Sequence, residues 1–122
     1  MRSLFLCLAV IAAFISAPVL AAEMTVTGEL VDHACYQGRG AEEGTGSAHA
    51  SCAQTCAKKG QQVALVTEGG DVYFLAGEVI SDSNAGLVPH MGHVVEITGD
   101  ITEADGAKTI TSDAIKHISV AG

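Results

Sequence analysis

The stretch between positions 33 and 56 constrains this chain most, because it carries three of its four cysteines and two of its five histidines. The cysteines are Cys35, Cys52 and Cys56, and the histidines are His33 and His49. The run that contains Cys52 and Cys56 is rich in helix-forming residues. In a helix, spacings of three and four residues place His49, Cys52 and Cys56 on one face. Since Cys35 ends a preceding strand-like segment, the pattern predicts a thiol-centred site where that strand meets the helix.

The first 22 residues are typical of a secretory signal peptide. A short basic end precedes an apolar run over residues 4–15, and small residues follow as far as Ala22. The apolar run is shorter than the roughly 20 residues that span a bilayer, which disfavours a membrane anchor. We therefore expect residues 1–22 to be removed, Cys7 with them. Residues 23–122 should form one periplasmic or secreted domain, with no membrane span in the mature protein.

The remaining chain, about 100 residues, is enough for one small domain. Alternating β-branched residues predict a first strand over residues 24–31, with a bend or bulge at Gly28. A Gly- and Glu-rich segment at 37–47 indicates a mobile loop. An Ala-rich segment at 48–59 indicates a helix that Ser47 can cap. Further strands are predicted at 62–67, 71–76 and 93–101, with room for a short helix near 83–87. Residues 108–111 and 114–120 make the last strand or pair, and a helical turn is the alternative for 113–117.

Five short strands in this order suit a small closed or partly open barrel of the OB type, with one α-helix inserted between strands 1 and 2. A barrel also removes the edges that an open sheet would expose. A small antiparallel sheet with the helix packed on one face is the alternative. The core has to be aliphatic, since the mature chain has no tryptophan and few other aromatic residues.

Five short motifs together resemble a known pattern. They are Thr27-Gly-x-Leu-Val-Asp32-x-x-Cys35, His49-x-x-Cys52-x-x-x-Cys56, Lys59-Gly60, Val72-Tyr73 and the strand from Gly92 to Gly99. With them the chain resembles a group of small exported bacterial proteins with an OB-like fold, mostly of unknown function. The resemblance implies an OB-like barrel and an exported location, and it implies no activity.

A disulfide is one expected fate of the three mature cysteines, because exported thiols meet an oxidising compartment. Cys52 and Cys56, four apart on a helix, have near-parallel Cβ vectors and are not expected to pair. Cys35 bonded to Cys52 or Cys56 would tie the first strand to the helix. Such a link stabilises the fold by roughly 3 kcal/mol on the chain-entropy description. The cysteine left over would be inert or free for thiol-redox chemistry.

A metal site is the other interpretation of the same residues. Three thiolates with His49 or His33 make a Cys3His set, the composition of a closed tetrahedral zinc site. Thiolate-rich sites also suit Cu(I). The spacing contains no Cys-x-x-Cys knuckle, haem-attachment motif or thiol-oxidoreductase motif.

A second, weaker candidate copper site is formed by His90, Met91 and His93, because two imidazoles and a thioether within four residues can hold copper. The alternative is an ordinary connector in which Met91 caps the core. His117, on the last strand, is expected to be a surface residue.

The acidic composition, with a formal net charge of −8, argues against nucleic acid and anionic membranes as partners. No triad, phosphate loop or paired-carboxylate motif indicates an enzyme. We therefore expect an exported, non-enzymatic binding module for copper or zinc. The alternatives are a disulfide-stabilised ligand- or protein-binding domain with purely structural cysteines, and a thiol-redox protein. The expected partner is a metal ion or small ligand, or another exported protein.

Overall fold

A computed structural model describes residues 22–120, without the side chains of Ser119 and Val120. The predicted signal peptide, residues 1–22, lies outside this range except for its last residue, and Cys7 lies outside it too. Among the described residues, no helix combines the length and apolar character that crossing a bilayer requires.

Five strands form a closed mixed barrel, which confirms the predicted barrel, and a sixth strand extends it. The strands are β1 (Ala22–Asp32), β2 (Val63–Val66), β3 (Val72–Ala76), β4 (His93–Ala104), β5 (Ala107–Thr111) and β6 (Ile115–Val120). Their order is β1-β2-β3-β5-β4, and pairing of β1 with β4 closes the barrel. The β3–β5 pair is parallel and the other pairs are antiparallel. The chain end predicted as one strand or a pair is a pair: β5 pairs with residues 100–104 of β4, and β6 pairs with residues 93–97 of the same strand.

Strand β1 closes the barrel because it serves two partners. Residues 22–29 pair with β4, and residues 29–32 pair with β2. Gly28 lies at this change of partner, where a Cβ atom would come 2.5 Å from the carbonyl oxygen of Val66. Only glycine allows that approach without displacing the backbone.

The core is aliphatic, as the composition predicts. One cluster fills the barrel and continues under the second helix; it contains Val26, Leu30, Ala53, Ala57, Val63, Leu65, Leu75, Val79, Leu87, Met91, Val95, Ile97 and Ile110. Burial of these side chains from water is the main favourable contribution to folding. The same cluster holds helix and barrel together.

Two helices, not one, lie between β1 and β2, so the mobile loop predicted at 37–47 is wrong. Helix α1 (His33–Glu43) starts directly after β1, because the carboxylate of Asp32 caps it by accepting a hydrogen bond from the Cys35 amide at 3.1 Å. Gly40 interrupts the helix with a φ of 80°. No residue of α1 is buried, so the apolar periodicity that reveals a helix in a sequence is missing.

Helix α2 (Ser47–Lys58) matches the predicted helix closely, but its ends are fixed differently. Ser47 does not cap it. The carboxylate of Glu29 on β1 accepts the Gly46 amide instead, at 2.9 and 3.1 Å. At the other end, the buried Asn84 side chain donates to the carbonyl oxygens of Ala57 and Gln61, each at 3.0 Å. The helix is therefore held at both ends by residues outside it.

The Asn84 side chain comes from a short turn, α3 (Ser81–Asn84), close to the short helix predicted near 83–87. Asp82, Ser83 and Asn84 all have positive φ values. This left-handed backbone costs about 1–2 kcal/mol per residue, and the two bonds from Asn84 to the end of α2 help to offset it.

We expect Gly28→Ala to lower the free energy of unfolding by about 1–3 kcal/mol, because the added methyl group overpacks the β1–β2 contact. Gly38→Ala is the matched control: Gly38 lies in α1, and no atom lies within 4 Å of the position that an added methyl group would take. Gly38→Ala should raise the free energy of unfolding by about 0.5–1 kcal/mol. Urea denaturation of both variants measures the difference, and equal effects would contradict this view of the β1 corner.

Candidate metal centre

The structure brings the three cysteine sulfurs of the mature chain together. The Sγ atoms of Cys35, Cys52 and Cys56 all lie within 4.8 Å of one another. Cys52 is exposed, and the other two are partly buried. All three are free thiols, so Cys35 is bonded to neither of its expected disulfide partners in this structure.

Local structure explains why the sulfurs meet. Cys35 lies in the first turn of α1, where the Asp32 cap fixes the backbone at the end of β1. Cys52 and Cys56 lie one turn apart on α2. Since α2 packs against β1 and is held at both ends, its thiol-bearing edge is presented to the start of α1.

Neither histidine expected at this site joins the sulfurs. The ring of His33 packs edge-on against Phe74, with centroids 4.6 Å apart. His49 is buried with Ala53 and Ala57 on the core face of α2, and its Nε2 atom has no hydrogen-bond partner. The described residues therefore form a group of three sulfurs, without the nitrogen that a Cys3His site requires.

The thiols share their surroundings with a buried carboxylate. Besides capping α1, Asp32 has a second oxygen, Oδ2, that is buried without a partner of full hydrogen-bond geometry. Hydrogen bonding to Asp32, reinforced by burial, raises the pKa of the neighbouring Cys56 thiol to about 11. Burial, followed by the charge of Asp32, also raises the pKa of Cys35. Both thiols therefore hold their protons at neutral pH, and a bound cation would have to displace them.

A second cluster contains three histidines. Ring nitrogens of His90, His93 and His117 lie within 4.8 Å of one another, and His117 Nε2 lies 3.2 Å from His93 Nδ1. Met91, expected as a ligand beside His90 and His93, is fully buried in the core, as its alternative interpretation had it. His117, which was expected to be only a surface residue, is the third histidine of the cluster. Sequence reasoning missed it because the contact depends on the pairing of β6 with β4.

Comparison with known proteins adds no relative: no protein-family model, curated protein or solved structure matches this chain. The resemblance to small exported bacterial proteins stays a prediction. Both side-chain clusters could hold a metal ion.

We expect Asp32→Asn to accelerate alkylation of Cys56. Asparagine caps helices as well as aspartate does, so α1 should persist. Loss of the hydrogen bond to the carboxylate, and of its negative charge, should lower the pKa of Cys56 and increase its thiolate fraction. Because a less basic thiolate is also a weaker nucleophile, the rate at pH 8 should rise roughly threefold for each pH unit by which the pKa falls.

Peptide mapping by mass spectrometry after timed iodoacetamide treatment gives the rate at each cysteine. Asp100→Asn, which removes an exposed carboxylate of β4, is the control and should leave all rates unchanged. An unchanged Cys56 rate in Asp32→Asn would show that the carboxylate does not hold the thiol proton.

Proposed function

We propose that this protein is an exported, non-enzymatic module that binds a soft metal ion through Cys35, Cys52 and Cys56, with Cu(I) as the best-fitting ion. The observation that carries the proposal is the convergence of three free thiols from two helices within 4.8 Å. The exported location comes from the predicted signal peptide.

The number and type of ligands favour Cu(I). Thiolates select Cu(I) and Zn(II) among the biological metals. Structural zinc sites take four protein ligands, and neither candidate histidine supplies the fourth here. Zn(II) with water in the fourth position is the second candidate for the same three sulfurs.

The distances are close to those of a loaded site. Metal–sulfur bonds of about 2.3 Å in tetrahedral geometry place two sulfurs about 3.8 Å apart. Sulfurs already within 4.8 Å need to move by about 1 Å at most. Rotation of the exposed Cys52 side chain can supply part of this movement, so the backbone does not have to rearrange.

Exposure and charge also support a cation site. Cys52 is open to solvent, which gives an ion a way in. The chain carries a net charge of −8, and an acidic surface raises the local concentration of cations. The buried carboxylate of Asp32 adds negative charge next to Cys56.

Anaerobic titration of the reduced, untagged mature protein with Cu(I), against a chromogenic Cu(I) chelator, tests the proposal. We expect one Cu(I) per chain. Cys35→Ser and Cys56→Ser should each weaken binding by more than about tenfold, because even the loss of an outer-shell partner costs about 10- to 100-fold.

Two control variants on α2 make the test specific. Ser51→Ala alters the neighbour of Cys52, and His49→Gln removes the histidine that the sequence offered as a ligand. Both should bind Cu(I) like the wild type. Tight binding by Cys56→Ser, or loss of binding in His49→Gln, would contradict the three-sulfur site.

Intact mass with and without thiol alkylation separates the alternatives. Two thiols lost on purification, with no Cu(I) uptake, would show a disulfide-stabilised domain with structural cysteines. A mixed disulfide or covalent dimer would indicate a thiol-redox protein. If Zn(II) binds to the three sulfurs and Cu(I) does not displace it, Zn(II) is the ion of this site.

A further inference from the structure

The three-histidine cluster shares no residue with the sulfur site and is built by different elements. His90 ends a 3-10 turn, Val88–His90. His93 begins β4, and His117 lies on β6. All five histidines of the chain lie in the described part of the structure, and three of them meet here.

The turn that carries His90 and His93 is anchored to the core. Met91, between them, is fully buried. The Gly92 amide donates a 2.8 Å hydrogen bond to the carbonyl oxygen of Leu30 on β1. A Cβ atom at Gly92 would lie 2.7 Å from the Ala50 side chain of α2, so the turn packs tightly against that helix. The two rings therefore project from a fixed support.

A β-bulge places the third ring. In the pairing of β4 with β6, Val94 is opposite Ser119 and Val95 is opposite His117, which leaves Ile118 without a partner. A bulge of this kind turns a neighbouring side chain away from its regular direction. Here the irregularity lies beside His117, whose ring centroid is 5.1 Å from that of His93 and 5.4 Å from that of His90.

The nitrogen separations suit a shared cation. Two imidazoles on one tetrahedral metal, with bonds of about 2.0–2.1 Å, have their nitrogens roughly 3.3–3.4 Å apart. His117 Nε2 and His93 Nδ1 are already 3.2 Å apart. A hydrogen bond explains that pair, but it does not explain why a nitrogen of His90 also lies within 4.8 Å of both.

The surroundings of His90 favour its uncharged ring, which is the form that binds metal. Burial lowers the pKa of His90, and the neighbouring rings of His117 and His93 lower it further. Neutral imidazole offers a lone pair to Zn(II), Cu(II) or Ni(II).

We propose that His90, His93 and His117 form a second metal site, which binds a borderline divalent cation such as Zn(II) and leaves a fourth position open. Three histidines with an open position make a tetrahedral site that a water molecule or another ligand completes. Imidazole nitrogen suits Zn(II), Cu(II) and Ni(II), whereas the three sulfurs suit Cu(I) best and also accept Zn(II).

Imidazole-resolved NMR of the native, untagged and reduced protein during titration with Zn(II) tests the proposal. Long-range proton–nitrogen spectra show each imidazole ring separately, so zinc bound to the sulfurs can be told apart from zinc bound to the histidines. With two equivalents of Zn(II), the rings of His90, His93 and His117 should shift together, while those of His33 and His49 stay in place.

His117→Gln is the informative variant, since it changes an exposed strand residue and should fold normally. It should weaken zinc binding at His90 and His93 by more than about tenfold. His33→Gln, which removes a histidine outside the cluster, should bind like the wild type. Cys35→Ser should also leave the three ring shifts unchanged, so failure of the sulfur site and failure of the histidine site are distinguishable.

Two results would overturn the site. Rings that do not respond to two equivalents of Zn(II) would mean that the cluster is only a hydrogen-bonded pair with a neighbour. Unchanged zinc affinity in His117→Gln would mean that the metal binds elsewhere.

Discussion

The packing of α2 against β1 is the contact on which the rest of the structure depends. It buries Ala53 and Ala57 in the same core as Leu30, and Glu29 and Asn84 hold the two ends of the helix. One edge of α2 carries two of the three sulfurs. The turn that bears two of the three histidines packs against Ala50 of the same helix and donates a hydrogen bond to the backbone of Leu30. The α2 sulfurs and the turn that bears His90 and His93 therefore both take their positions from this helix–strand contact, whereas β6 positions His117.

Asp32 links that contact to the chemistry of the sulfurs. Its position at the end of β1 makes it the cap of α1, and the cap places Cys35. The same carboxylate, buried beside Cys56, favours protonated thiols as long as no cation is present. A negative group next to potential thiolates is unfavourable in an empty site and favourable in a site that holds a positive ion. Capping of α1 and the raised pKa of the Cys56 thiol thus both come from one buried carboxylate.

Much of the barrel could be predicted from local patterns, because alternation and turn residues mark each strand. The Asp105-Gly106 turn between β4 and β5 is an example: both residues have positive φ, as a type I′ hairpin turn requires. Helix α1 could not be predicted, since none of its residues is fully buried. The sulfur cluster followed from a strand end and a helical spacing, whereas His49 was misplaced. Spacing alone does not tell which edge of a helix faces the core, and here positions 49, 53 and 57 face it. His117 depends on a bulged pairing between distant strands, which no local pattern records.

Because the aliphatic core is small, a link made through the sulfur cluster would matter for stability. A disulfide closing the segment from Cys35 to α2 would contribute roughly 3 kcal/mol on the chain-entropy description. An ion present at 100 times its dissociation constant contributes about 2.7 kcal/mol by binding only the folded state. The two means of stabilisation are therefore nearly equal in size, and either could replace the other as far as folding is concerned. They exclude each other chemically, because a disulfide removes two of the three ligands that an ion needs. The oxidation state of these sulfurs would thus decide whether the cluster can form a covalent link or hold an ion.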